Sequence, residues 1–251
     1  MARPHGAGAV HLPGAVHAAW SAASAGDLRP VGHGSGDGAA LVAFATAVSA
    51  PTGASFDEVA WATQVHGSRV VDVIRAPQTV APDAVACRNL GEADALVAVS
   101  PDTAVCVLTA DCGPLALASP EGVFAAVHAG WRGLAAGVVE AAVRQMRIRG
   151  ATDVSGALGP CIHAGCYEFG LSELDAVADT YGRAVRGTTD DGRPALDMVA
   201  GIRAALDASG AALVDVVDVC TACGGGQYSH RARGDAGRQA LVVWSTPGVT
   251  P

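Results

Sequence analysis

Residues 92–133 read EADALVAVSPDTAVCVLTADCGPLALASPEGVFAAVHAGWRG. Four apolar runs follow one another there, over 93–99, 104–109, 115–118 and 123–127. Turn formers separate them: Ser100-Pro101, Gly113-Pro114 and Glu121-Gly122. Each run is too short for a stable helix, and most are continuous rather than alternating. That pattern describes strands covered on both faces. Outward from this stretch, 58–65, 69–74, 154–158, 214–220 and 239–244 read as further strands. Helices are expected over 39–49 and over 134–147, the second with Leu134, Val138, Ala141, Ala142 and Gln145 on one stripe. Two more are expected over 172–181, capped by Ser172, and over 197–209. No Gly/Ser/Pro linker divides the chain and no repeat appears. The reading is one α+β domain with extensive mixed sheet over 13–251, preceded by a loose tail at 1–12.

Composition narrows the function. Of 251 residues, 50% are apolar, enough for a sizeable core. There are 16 basic and 24 acidic residues, a formal charge of −8, and no basic run. Wrapping nucleic acid or resting on an anionic membrane is therefore not expected. Every basic residue is arginine, which excludes a P-loop lysine and a Schiff-base lysine. An anion would be held by arginine, backbone N–H groups or a metal. The first twenty residues lack the apolar core of a signal peptide. The seven cysteines are accordingly expected to be reduced, in a cytoplasmic protein.

Three segments carry chemistry: Gln64-Val65-His66-Gly67, Thr109-Ala110-Asp111-Cys112, and His128-Ala129-Gly130-Trp131-Arg132-Gly133. Each sets a polar, metal-capable side chain after an apolar run, where a rigid sheet ends and a loop opens to ligand. His66, Cys112 and His128 make a His₂Cys set for Zn²⁺, with one tetrahedral position left open as in catalytic sites. The spacings of 46 and 16 residues are not a local metal motif, so the fold must bring the three together. Arg132, at a helix entry between glycines, suits an anion. Cys220-Thr221-Ala222-Cys223 has CxxC spacing but no second CxxC, and reads as a loop. Cys161, His163 and Cys166 lie close in sequence and are also read as a structural loop, with a secondary metal site as the alternative.

These segments, with GPCIHAGCYEFG at 159–170 and CT…YSHR…GRQALVVW at 220–244, resemble the bacterial laccase-domain (YfiH-like) family. Its members were first described as multicopper polyphenol oxidases and are now regarded as zinc-dependent purine nucleoside phosphorylases. The resemblance implies a single domain of mixed sheets layered between helices, an αββα-type sandwich. It implies metal ligation by His66, Cys112 and His128. On chemical grounds Asp111, Cys112 and Arg132 are read as catalytic, and Gln64, Arg132 and Arg231 as substrate contacts. The implied partners are a purine nucleoside (adenosine, inosine, guanosine or methylthioadenosine) and inorganic phosphate, with adenosine deamination as a second activity. Asp111 is expected either to orient a ligand histidine or to act as acid/base. One alternative is a Cu²⁺-dependent polyphenol oxidase, since His₂Cys also resembles a copper ligand set. Another is a non-catalytic or cell-wall-precursor editing role. The oligomeric state is not fixed by the sequence. The chain departs from the family at 19–38, AWSAASAGDLRPVGHGSGDG, where an arginine and a double glycine are missing. Arg29, within this segment, is a candidate substitute for the missing arginine.

Overall fold

A computed structural model describes residues 9–30, 38–74 and 84–247. In chain order the early strands are Val10–Leu12 (β1), Val16–Trp20 (β2), Glu58–Thr63 (β3), Val70–Asp72 (β4) and Ala86–Glu92 (β5). Ala95–Ala98 (β6), Thr103–Thr109 (β7), Gly113–Ala118 (β8) and Phe124–Ala129 (β9) follow. Then come Ser155–Leu158 (β10), Arg186–Thr188 (β11), Pro194–Leu196 (β12), Ala212–Val216 (β13) and Gln239–Ser245 (β14). The helices are Ala39–Ser49 (α1), Trp131–Ala135 (α2), Val138–Ile148 (α3), Leu171–Tyr181 (α4), Met198–Ala208 (α5) and His230–Arg233 (α6).

Two mixed six-stranded sheets form the centre, in the orders β1-β2-β14-β7-β3-β5 and β13-β10-β8-β9-β6-β4. The inner strands β6, β7, β8, β9 and β14 are buried along their whole length because each has two faces to bury. In β7, Val105 and Val107 enter the layer between the sheets, while Ala104, Cys106 and Leu108 pack with Leu41, Ala45 and Val48 of α1. In β9, Phe124 and Ala126 face the inter-sheet layer, and Ala125, Val127 and Ala129 pack with the helices α3, α4 and α5. The result is the expected α+β sandwich, helix–sheet–sheet–helix.

Several elements differ from expectation. Val10–Leu12, read as tail, is an edge strand paired with β2. Its turn carries Pro13, Gly14 and Ala15, the last two at positive φ (72° and 56°). The helix expected over 134–147 is two helices, because Gly137 takes a left-handed φ of 80° and breaks it. Gly170, not Ser172, caps α4; the Ser172 hydroxyl bonds Glu173 instead. Asp197 caps α5 as its type suggests, accepting from Ala200 N at 2.9 Å. The Cys87 and Cys106 thiols are free, the second fully buried.

Connectivity sets the site. The chain leaves the first sheet after β3 and after β7, and enters the second as β4 and β8. β3 and β7 are parallel neighbours, so both exits lie at one end. β9 returns to that end, with Ala129 opposite Gly113 at the start of β8. Three strand ends thus converge on one mouth of the sandwich.

Candidate active site

The segments after β3, after β7 and at the end of β9 deliver His66, Cys112 and His128. Their donor atoms all lie within 4.8 Å of one another. His66 is exposed, Cys112 half-buried and His128 buried, so the cluster opens to solvent on the His66 side. The two imidazoles meet edge to face with ring centroids 4.9 Å apart.

Asp94, fully buried at the entrance to β6, organises this cluster. Its Oδ1 lies 2.8 Å from His128 Nδ1 and accepts from His66 N at 2.9 Å. Its Oδ2 accepts from Gly67 N at 2.7 Å and Val65 N at 3.3 Å. One carboxylate therefore clamps the His66 loop and fixes the His128 ring, leaving Nε2 toward the cluster. Burial works against the charge on Asp94. The His128 hydrogen bond and the Gly67 and His66 N–H groups outweigh it and hold the carboxyl below its usual range. Asp94 was missed in the sequence, where an acid opening an apolar run reads as a strand end.

Burial likewise opposes the Cys112 thiolate. The charge of His128 and hydrogen bonds from both histidines win, and the thiol is drawn down to about 6. Cys112 is thus a thiolate at neutral pH, the form that binds metal. His128 moves upward as the partner in this pair, driven against its burial by Cys112 and Asp94. Two backbone positions are strained to make the site: His66 (φ 61°) and Asp111 (φ 96°) are non-glycine residues in the left-handed region.

The residues fit a metal. Gly130 closes the cluster from below. A Cβ there would lie 2.8 Å from His66 Cδ2 and 3.1 Å from Cys112 Sγ, so the three donors meet only because no side chain intervenes. Gly130→Ala should weaken metal affinity about tenfold or more by displacing the ligands. Competition with a chromophoric chelator measures this; wild-type affinity in the variant would refute the packing argument.

A cavity of about 560 Å³ surrounds the cluster, a size suited to a small ligand. Arg29, Arg132, Arg231 and Arg238 line it, with Trp61, Trp131 and Tyr167. Arg132 stacks on Trp131 with Cζ 4.4 Å from the ring centroid, and Arg231 on Tyr167 at 4.8 Å. Gln64 lines the cavity too, but its amide is spent on β7: Nε2 donates to Leu108 O (2.6 Å) and Oε1 accepts from Leu108 N (2.8 Å). The Asp111 carboxylate accepts from Thr221 Oγ1 (2.6 Å) and Arg231 N (2.7 Å), so it anchors the cavity wall while Asp94 orients the histidine. Arg29 reaches the same cavity from the divergent N-terminal segment and pairs with Asp27 at 2.6 Å. The GHGSGDG part of that segment lies almost wholly outside the described residues.

The family model for multi-copper polyphenol oxidoreductase laccase matches residues 14–246. The chain belongs to this laccase family. It is 36% identical over 215 residues to a purine nucleoside phosphorylase of Mycobacterium tuberculosis, covering 84% of this chain and 82% of that one. It is 37% identical to a purine nucleoside phosphorylase of Streptomyces griseus, covering 89% of each. Among solved structures, YlmD from Geobacillus stearothermophilus superposes with a TM-score of 0.73 at 25% identity, covering 96% of this chain and 97% of that one. Bacillus licheniformis YfiH gives 0.73 at 22% identity, covering 92% and 93%. These two folds match the sandwich described above.

Proposed function

We propose that this laccase-family chain catalyses zinc-dependent phosphorolysis of purine nucleosides to the free base and ribose 1-phosphate. The carrying observation is the shared cavity: a His₂Cys donor set, four arginines and three aromatic faces open onto the same space. The names of the mycobacterial and streptomycete relatives support the same reading.

In phosphorolysis the bond from C1′ to the base nitrogen breaks, a bond from C1′ to a phosphate oxygen forms, and the departing base takes up a proton. His66, Cys112 and His128 would hold the metal, which when bound supplies Lewis acidity toward an oxygen ligand. Arg132 and Arg231 bind phosphate, and their stacking on Trp131 and Tyr167 holds the guanidinium planes in place before it arrives. The aromatic faces take the purine. Thr109 Oγ1 is buried in the cavity wall without a hydrogen-bond partner among the described residues, and is offered to a substrate polar group. His230, also in the wall, is the titratable group proposed to protonate the leaving base.

Copper-dependent phenol oxidation fits less well. Reduction of oxygen by several coppers needs further histidine-rich clusters, and the second donor cluster among the described residues contains only cysteine. Adenosine deamination remains a proposal for the same cavity.

The test incubates adenosine, inosine or guanosine with the zinc-loaded protein, with and without phosphate, and follows free base and ribose 1-phosphate. Phosphate-dependent release of base is expected; none with any purine nucleoside would refute the assignment. Arg132→Ala should raise KM for phosphate by roughly 10–100-fold, the loss of one charge-assisted contact.

A further inference from the structure

A second group of donors lies outside the cavity described above. Cys166 ends a short 3-10 turn, Ala164–Cys166, Cys220 sits where the chain bridges in parallel to Cys161, and Cys223 closes the turn that follows. Their three sulfurs lie within 4.8 Å of one another, and all three thiols are free. Tetrahedral ligation at a Zn–S distance of about 2.3 Å puts sulfurs about 3.8 Å apart, so small side-chain movements close the set on one ion. We propose that Cys166, Cys220 and Cys223 form a second, structural metal site for a thiophilic cation, zinc in the first instance.

The surroundings suit thiolate sulfur. The main-chain N–H of His163 donates to Cys220 Sγ at 3.4 Å. Cys220 is buried and held by main-chain pairing, since Thr221 N donates to Cys161 O at 3.1 Å. Cys166 is half-buried and Cys223 exposed, which gives the ion a path in. Each thiol gives its proton to solvent on ligation. The fourth position falls to solvent or to His163. Its ring lies outside the 4.8 Å set, and its Nε2 is a buried atom without a hydrogen-bond partner among the described residues.

The consequence reaches the first site. Cys166 belongs to the segment in which Ile162 N donates to Asp111 O at 2.9 Å, and Cys220 precedes the Thr221 that holds the Asp111 carboxylate. An ion on the three sulfurs ties together the two loops that position Asp111, next to Cys112. The sequence conceals this set. Cys220 and Cys223 show as an unpaired CxxC, and the third ligand comes from another loop, where Cys161 and His163 were the more obvious companions.

The test counts metal in the full-length protein, purified under reducing conditions from zinc-supplemented medium without added chelator. Two zinc equivalents per chain are expected. The double variant Cys166→Ser/Cys223→Ser, which spares the buried Cys220, should keep one. Cys112→Ala should also keep one, and the triple variant none. Cobalt substitution gives a second readout: the sulfur-to-cobalt charge-transfer absorption should drop far more in the double variant than in Cys112→Ala. Should the double variant misfold by circular dichroism, Cys223→Ser alone serves, because that side chain is exposed. A single equivalent that disappears with Cys112→Ala overturns the proposal. So does a second equivalent retained in the double variant, or a disulfide among these three cysteines shown by a 2 Da mass deficit in the unreduced protein.

Discussion

Cys112→Ala is expected to remove one zinc equivalent and to lower phosphorolysis by roughly 10³-fold, since a metal supplies several kcal/mol of charge stabilisation and each 1.36 kcal/mol is tenfold in rate. The effect is large because the only anionic ligand of the set goes, and two imidazoles alone are left to hold the ion. The fold should survive. Cys112 is half-buried at a loop between β7 and β8, and alanine removes one sulfur at the cavity wall. Circular dichroism, zinc content and base release measured on the same preparation separate the outcomes. A folded variant that turns over nucleoside at the wild-type rate would show that Cys112 is not part of the machinery.

Asp94→Asn is expected to act on stability and on the metal together. The carboxylate serves three main-chain N–H groups and one imidazole from full burial. An amide keeps one acceptor oxygen and turns an NH₂ toward donors. At least one buried N–H then loses its partner, at about 1–3 kcal/mol. The His128 ring also loses the carboxylate that sets its tautomer, and metal affinity should fall about 10–100-fold. Thermal unfolding of the metal-free protein reads the first effect, and chelator competition reads the second. Unchanged values in both would mean that Asp94 neither clamps the His66 loop nor aims the histidine.

Much of this architecture is legible in residues 92–133. Continuous apolar runs betray strands with two buried faces, and β7, β8 and β9 occupy nearly the expected spans. His66, Cys112 and His128 stand out because each interrupts or follows such a run with a metal-binding atom. What stays hidden depends on contacts between segments. β5 spells ACRNLGE, too polar to announce a strand, and forms at a sheet edge by pairing with β3. Asp94 looks like an ordinary strand boundary until the fold brings His66 and His128 onto it. Gln64 shows the reverse case: its place in QVHG suggests substrate, while its amide in fact extends the ladder to Leu108. Asp111, a neighbour of Cys112 in sequence, turns away to Thr221 and Arg231.

The most direct measurement is a crystal structure of the zinc-loaded protein with anomalous difference maps recorded on either side of the zinc edge. A peak is expected at bonding distance, about 2.0–2.3 Å, from a His66 ring nitrogen, Cys112 Sγ and His128 Nε2 together. Zinc-loaded, active protein with no peak among those three atoms would contradict the account.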